Sequence, residues 1–220
     1  SGPITLQDSI VLTKGVFAVG TKDIIIDTVL IINLPGIYHV EAFLSCPFDT
    51  LHFDDTITLD YNVKKLALPY DNDFSAISSD ISIIQNVGYV NWIQDTNPSM
   101  TPVYGTGAIY FNSALGAGHI SMAMLQSINL KGTLQPTLDF WFAHDTMNSA
   151  KPDRIDVQIS TNGYSFNNLL SVTRYDVNFA TAGWEKYSVD LSSYSSETCV
   201  IIAFVATSYG GGDMWIDRIM

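Results

Sequence analysis

The sequence predicts an all-β protein, and three observations carry that prediction. The 22 acidic residues are 19 Asp and only 3 Glu (Glu41, Glu185 and Glu197), so negative charge comes from a turn and cap former instead of a helix former. Tyr (11) and Phe (11) are abundant alongside Val, Ile and Thr, the residues that suit a pleated, half-buried surface. Apolar and polar side chains alternate with a period of two, and no stretch carries helical periodicity. With 47% hydrophobic and 15% charged residues, against the roughly 25% charged usual for soluble domains, disorder and coiled coil are excluded. A length of 220 residues allows one or two domains, each large enough to fold without disulfide staples.

The elements follow in chain order. The runs Ile24 to Ile32, Gly36 to Leu44 and Thr56 to Val63 read as strands, punctuated by Asn33-Leu34-Pro35-Gly36 and Asp54-Asp55. In the second of these runs Tyr38, Val40, Ala42 and Leu44 share one face, with His39 and Glu41 on the other. Lys64-Lys65-Leu66-Ala67-Leu68-Pro69-Tyr70 joins two blocks, and its proline ends strand pairing, which places a domain boundary at about 65. Beyond it, Leu138, Phe140 and Phe142 alternate with Asp139, Trp141 and Ala143. Ile155, Val157 and Ile159 do the same with Asp156, Gln158 and Ser160, as do Tyr187, Val189 and Leu191 with Ser188 and Asp190. These are one-sided antiparallel strands. Val200 to Ala206 is apolar on both parities, as a central strand flanked on both sides requires. The prediction is an antiparallel jelly-roll β-sandwich over 66–220, preceded by part of a second sandwich over 1–65.

Charge and cysteine use bound the function. Ten basic and 22 acidic residues give a net charge of −12, which argues against phosphate backbones and anionic lipid and favours cations. Apolar runs of about seven residues are far below the roughly 18 of a membrane span. Cys46 and Cys199 fall in different blocks, so an intradomain bridge is not expected, and Cys199 reads as a buried free thiol. The chain starts at Ser1 and stops at Met220 within a strand-like segment, so it is expected to be a piece of a longer protein.

Both blocks resemble known families. Gly36, Tyr38 and Ala42, then Asp49 and Asp54-Asp55-Thr56, resemble the closing half of an immunoglobulin-like repeat of bacterial surface proteins, with Asp54 in place of the usual Asn. A whole sandwich of that type takes about 100 residues, so the resemblance implies only a partial domain. In the second block, Leu68-Pro69-Tyr70 with Asp73-Phe74, Trp92, and Gly107-Ala108-Ile109-Tyr110-Phe111 are three matching fragments. They continue with Leu125-Gln126-Ser127-Ile128-Asn129-Leu130, Leu138-Asp139-Phe140-Trp141-Phe142 and Val157-Gln158-Ile159-Ser160-Thr161-Asn162-Gly163. The last are Trp184 followed by Val189-Asp190-Leu191-Ser192-Ser193-Tyr194, Ile202-Ala203-Phe204, and Trp215-Ile216-Asp217-Arg218-Ile219. In this order and spacing they resemble the cleaved-adhesin (choice-of-anchor) modules of bacterial surface adhesins and peptidases, which are related in fold to MAM domains. The resemblance implies adhesive, carbohydrate-binding or processing-associated roles on secreted proteins, usually of Bacteroidota.

Two kinds of site are expected. Ca²⁺ takes six to eight hard oxygens at about 2.3–2.6 Å, which an Asp-rich loop protein supplies. The resemblance implies such an ion between the opening and closing strands, here at Asp71, Asp73 and Asp217. Ser75 stands where the family has Glu, and Arg218 where it has a second acidic residue. The same Asp residues serve equally as turn caps and loop solvation. Glycan or protein binding is the second expectation, because sugars stack on aromatic rings while amides and carboxylates take their hydroxyls. Tyr104 in a Pro-Val-Tyr-Gly loop, and Tyr209 and Trp215 around Gly210-Gly211-Gly212-Asp213, are the rings beside turns. Trp141 lies on the strand parity opposite Leu138 and Phe140, open either to solvent or to packing.

Catalytic signals are weak. No Glu has a second Glu nearby, as the commonest sandwich glycosidase arrangement needs. Gly163-Tyr164-Ser165-Phe166-Asn167 lacks the last glycine of a nucleophile elbow. His39, His52, His119 and His144 form no pair at helical ligand spacing. The expected function is therefore a non-enzymatic extracellular or cell-surface binding module. The alternatives are an accessory module of a secreted peptidase or glycosidase, and a structural spacer in a surface filament.

Overall fold

The structure, a computed structural model, describes residues 36–43, 56–163, 165–175 and 183–220. The chain divides into two compact units, Ser1–Val63 and Lys64–Met220, which are taken one at a time.

In the first unit, β1 (Gly36–Phe43) and β2 (Thr56–Val63) pair antiparallel, with Gly36 opposite Val63 and Phe43 opposite Thr56. Tyr38 is buried while His39 and Glu41 are exposed, as alternation requires, and the His39 ring meets the Asp60 carboxylate in a hydrogen bond across the ladder. Ala42, expected on the buried face with Tyr38, is exposed. It lies near the end of the ribbon, where its cross-strand neighbour Ile57 is also exposed. The strand expected at Ile24 to Ile32, and Cys46, Asp49, His52 and Asp54-Asp55, lie outside the described residues.

The second unit opens with β3 (Lys65–Leu66), β4 (Ile81–Val87), β5 (Ile93–Asp95), β6 (Ala108–Asn112), β7 (Ala117–Leu125) and β8 (Ser127–Ile128). It continues with β9 (Thr137–His144), β10 (Arg154–Ser160), β11 (Asn167–Thr173), β12 (Gly183–Asp190), β13 (Ile201–Tyr209) and β14 (Asp213–Asp217). Two five-stranded sheets result, in the orders β11-β10-β13-β7-β4 and β12-β9-β14-β6-β5. Every pairing within them is antiparallel. Helical geometry among the described residues is limited to two 3-10 turns, at Ser113–Leu115 and Ser192–Tyr194. The all-β expectation for this unit holds.

Strand parity builds the core as the alternation requires. Leu138, Phe140 and Phe142 of β9 and Ile109 and Phe111 of β6 face Ile155, Val157 and Ile159 of β10 and Ile202 and Phe204 of β13 in one buried cluster. Trp92 lies within it, with its indole N–H donating to the Phe204 carbonyl at 3.0 Å, so its one polar atom is satisfied. β13 is the central strand of its sheet, and Ile201 to Ala206 are buried on both parities. Local turn chemistry agrees as well. The Asp190 carboxylate accepts the Ser192 N–H at 2.8 Å, and the β10–β11 hairpin turns at Gly163 with φ +85°, where a left-handed residue is needed.

Candidate functional site

The end of β14 and the segment before β4 meet at one corner of the second unit. Asn72 and Ile219 exchange backbone hydrogen bonds, both 3.0 Å, which join the opening and closing segments of the sandwich. Core parity on β14 belongs to Met214 and Ile216, so Asp217 points to the other face of its sheet. It is fully buried there, and its Oδ2 accepts the N–H groups of Val103 (2.8 Å) and Tyr104 (2.9 Å). Burial pushes the Asp217 carboxyl above the usual range and the nearby Asp73 adds to this, against the opposing pull of the backbone donors. The carboxylate thus pins the loop between β5 and β6 onto the sheet.

Arg218 follows at φ +42°, an uncommon left-handed conformation for a long side chain. Its guanidinium reaches Asp71 through two bonds of 3.1 and 3.0 Å and lies 4.0 Å from the centre of the Tyr104 ring. Asp73 accepts the Ser75 N–H at 3.1 Å, and Asn72 the Phe74 N–H at 3.0 Å. Gly105 completes the corner. At its φ of +58°, a Cβ would lie 2.2 Å from Ser75 Oγ and 2.7 Å from Asp73 Oδ2, so the loop approaches only as glycine. The space left open is a cleft of about 620 Å³ lined by Asp71, Asp73, Ser75, Ser78, Asp80 and Tyr104, among others.

The residues expected to hold calcium do not fit a calcium ion. Asp71, Asp73 and Asp217 come to the same corner, but Asp71 is taken by the Arg218 guanidinium and Asp217 Oδ2 by the loop. Among the described residues, no three Asp, Glu, His or Cys side chains converge as a metal-binding group. Asp217 Oδ1 is buried without a partner, and one orphan oxygen falls well short of the six to eight Ca²⁺ takes. A guanidinium bridges the seam instead.

The three expected aromatic residues separate. Tyr104 is exposed at the cleft. Its ring meets Trp141 edge-on at 5.1 Å, and Lys186 Nζ lies 5.2 Å from the Trp141 ring centre. Trp141 is therefore half-buried and packed. Trp215 is only 3% exposed. It stacks on Tyr110 at 5.6 Å and packs with Ala108, Ala143, Met100 and Trp184 in a satellite cluster on the outer face of its sheet. The Trp184 indole N–H donates to the Thr101 carbonyl at 2.7 Å, so the β5–β6 loop straps this cluster. Trp215 offers no ring face to a ligand, contrary to the expectation from its glycine-rich neighbourhood. Tyr209 is exposed but belongs to a different corner, with its N–H on Asp153.

That second corner was not read from the sequence. Asp153 and Arg174 are both buried and pair at 2.6 Å. Asp153 also accepts the Ser113 hydroxyl (2.6 Å) and the N–H groups of Tyr209 (2.6 Å), Gly211 (3.2 Å) and Gly212 (3.1 Å). Arg174 donates further to the Asp145 carboxylate (3.0 Å) and the Met147 carbonyl (2.6 Å). Burial opposes ionisation of Asp153, but the Ser113 hydroxyl, the backbone donors and the guanidinium hold its carboxyl below the usual range. A Cβ on Gly211 would lie 1.8 Å from Asp153 Oδ2, and one on Gly212 1.9 Å from Asp145 Oδ1. Gly211 and Gly212 therefore close onto carboxylates where a side chain would collide. The Gly210-Gly211-Gly212 run was the available signal.

No protein-family model matches the chain, and no curated protein matches it in sequence. Solved structures do match in fold. The K1 cleaved adhesin domain of Lys-gingipain from Porphyromonas gingivalis is 18% identical with a TM-score of 0.53, covering 68% of this chain and 95% of that domain. The K3 cleaved adhesin domain is 15% identical with a TM-score of 0.53, covering 69% and 96%. The K2 domain is 14% identical with a TM-score of 0.50, covering 68% and 95%. At these identities the likeness is one of fold, and it supports an adhesin-like jelly roll, as the motifs of the second block implied.

Proposed function

We propose that residues 64–220 form a non-catalytic recognition module of an extracellular or cell-surface protein, and that the module binds carbohydrate in the cleft beside Tyr104. The cleft itself carries this reading. Carboxylates of Asp73 and Asp80, the Asn72 amide and the hydroxyls of Ser75 and Ser78 line an open space beside an exposed phenol ring. These are the groups that exchange hydrogen bonds with sugar hydroxyls, next to an apolar surface. The Asp71–Arg218 pair and the pinned β5–β6 loop hold the site rigid, which lowers the ordering cost of binding. A scaffolding role for the acids supports the non-catalytic reading. Asp217, whose carboxyl is raised by burial, lies beneath the loop and spends its Oδ2 on two backbone donors. No helix among the described residues is long and apolar enough to cross a membrane.

A glycan array probed with the full chain, followed by calorimetry on the hits, tests the proposal. Binding is expected to fall at least ~10-fold, about 1.4 kcal/mol, in Asp73→Ala and in Tyr104→Ala. Retained affinity in both variants, or silence across the array, sinks the carbohydrate reading. Silence across host proteins as well favours a structural spacer.

A further inference from the structure

Four strands end the two sheets, and three of them are blunted. β5 is three residues long. β12 carries Glu185, Lys186 and Asp190. β11 loses register at its middle, opposite Val157 and Gln158. These are the devices by which sheet edges avoid pairing with other chains.

β4 has none of them over its first five residues. It reads Ile-Ser-Ile-Ile-Gln-Asn-Val, without charge or proline. Its pairing with β7 is regular from Ile81 to Gln85, and the register shifts only after that. Gln126 N–H donates to the Asp80 carbonyl at 2.8 Å. In the alternating pattern of an antiparallel ladder, Ser82 and Ile84 then turn their backbone groups towards β7 as well. Ile81, Ile83 and Gln85 turn theirs off the sheet.

The outward face beside this edge is apolar. Ile84 is 40% and Val87 49% exposed. In register behind them stand Met122 and Ile120 of β7, and beyond Met122 stands Val205 of β13. Methionine adapts its shape to an incoming surface.

We propose that the chain self-associates through this edge, with β4 pairing antiparallel to β4 of a second copy about a two-fold axis at Ile83. Self-complementarity selects the occupant. Centred on Ile83, the pairing sets Ile81 opposite Gln85 and Ser82 opposite Ile84 of the second copy. The off-sheet backbone groups thus face each other, and no like charges meet across the axis. A two-fold contact uses one patch on both partners, and here it sets the exposed Ile84 of each copy diagonally beside that of the other, on the same face. A basic partner would suit the net charge of −12, but β4 itself offers such a partner no acidic group. Repulsion between two acidic copies acts at longer range and is screened by salt.

Sedimentation of the full chain across micromolar concentrations, at about 0.1 M and about 1 M salt, reads the association directly. A monomer–dimer equilibrium that tightens at the higher salt is expected. Ile84→Lys, which puts a cation on each copy beside the axis, weakens it at least tenfold, whereas Leu134→Lys, at a remote and 94% exposed position, leaves it unchanged. Hydrogen exchange of the unaltered chain should show the Ile83 and Gln85 amides slowing as concentration rises. A chain that stays monomeric, an Ile84→Lys dimer of unaltered strength, or amide exchange at Ile83 and Gln85 that ignores concentration overturns the proposal. The exchange result decides even where the lysine variant fails to fold.

Discussion

Asp153→Asn probes the second corner with little change of shape. In the native protein a fully buried carboxylate faces a fully buried guanidinium at 2.6 Å. Removing one member of a buried pair costs about 3–5 kcal/mol, because the other charge is left uncompensated. Asp145 remains 3.0 Å from Arg174 and offsets part of the loss, so the lower bound of about 3 kcal/mol applies. In a domain of this size, about 1 kcal/mol moves the melting temperature by roughly 2–4 °C, which gives a fall of roughly 6–12 °C. The four tryptophans, Trp92, Trp141, Trp184 and Trp215, all lie in the second unit, so their fluorescence reports its unfolding alone. The pH dependence has a definite sign. Asp153 is held below its ordinary value, so its contribution is complete above the ordinary Asp range near ~3.9 and fades as pH falls through the folded value. The gap between native and variant should therefore be full at neutral pH and close below about pH 4. An Asp153→Leu, Arg174→Met double variant should not recover the loss. The N–H groups of Tyr209, Gly211 and Gly212 would still lack their acceptor, at about 1–3 kcal/mol for a buried orphan. A gap under ~2 °C at neutral pH, a gap that widens on acidification, or full recovery in the double variant refutes this account.

Two further perturbations separate the roles at the first corner. Asp217→Asn keeps an acceptor for the Val103 and Tyr104 N–H groups while removing a charge that burial disfavours. Because the Asp217 carboxyl is raised in the folded state, its ionised form loses stability as pH rises through the folded value. The Asn variant should be at least as stable as the native chain at neutral pH, with the difference closing towards about pH 4. Asp217→Ala instead orphans both donors and should cost about 1–3 kcal/mol. An Asn variant that melts as low as the Ala variant contradicts the sign. If Arg218 rather than a metal bridges the seam, a chelator should leave the melting curve unchanged. A drop of several degrees restored by Ca²⁺ would show that an ion binds there after all.

Parity made the sandwich legible. β9, β10 and β12 alternate along their length, and β13, apolar on both parities, became the central strand of its sheet. Parity also explains the failure at Trp215. Sequence shows that residue on the non-core face of its strand, beside a glycine run, and so suggests exposure. It does not show that β14 lies between β9 and β6, or that a loop more than 100 residues earlier straps the outer face through Thr101 and Trp184. The Asp153–Arg174 pair was hidden for the same reason. Its members are 21 residues apart, Asp153 just before β10 and Arg174 just after β11, and nothing local marks either as buried. At the seam, the two departures from the family pattern, Ser75 and Arg218, were visible as losses of acid. What each does instead, one hydroxyl accepting the Thr106 N–H and one guanidinium on Asp71, needed the fold.

The excess of Asp over Glu acquires a geometric reason from the same structure. With 10 Lys and Arg against 22 acids, at least twelve carboxylates have no cation of their own and must be satisfied otherwise. Four Asp carboxylates accept the N–H two residues ahead: Asp73 from Ser75, Asp95 from Asn97, Asp145 from Met147 and Asp190 from Ser192, at 2.8–3.1 Å. This turn needs the carboxylate one methylene from the backbone, which Asp provides and Glu does not. The three arginines pair with Asp side chains as well: Arg154 with Asp156, Arg174 with Asp145 and Asp153, and Arg218 with Asp71. Two of these arginines brace loops and chain segments at the ends of strand pairings. Arg174 ties the 145–153 stretch, whose Asp145 and Asp153 receive the N–H groups of the 209–213 turn, and Arg218 ties the opening segment to the closing one. In so acidic a chain a cation is worth most where several acids or backbone carbonyls converge on it. Arg174, with four oxygens within 3.0 Å, is the position where its loss should be felt most.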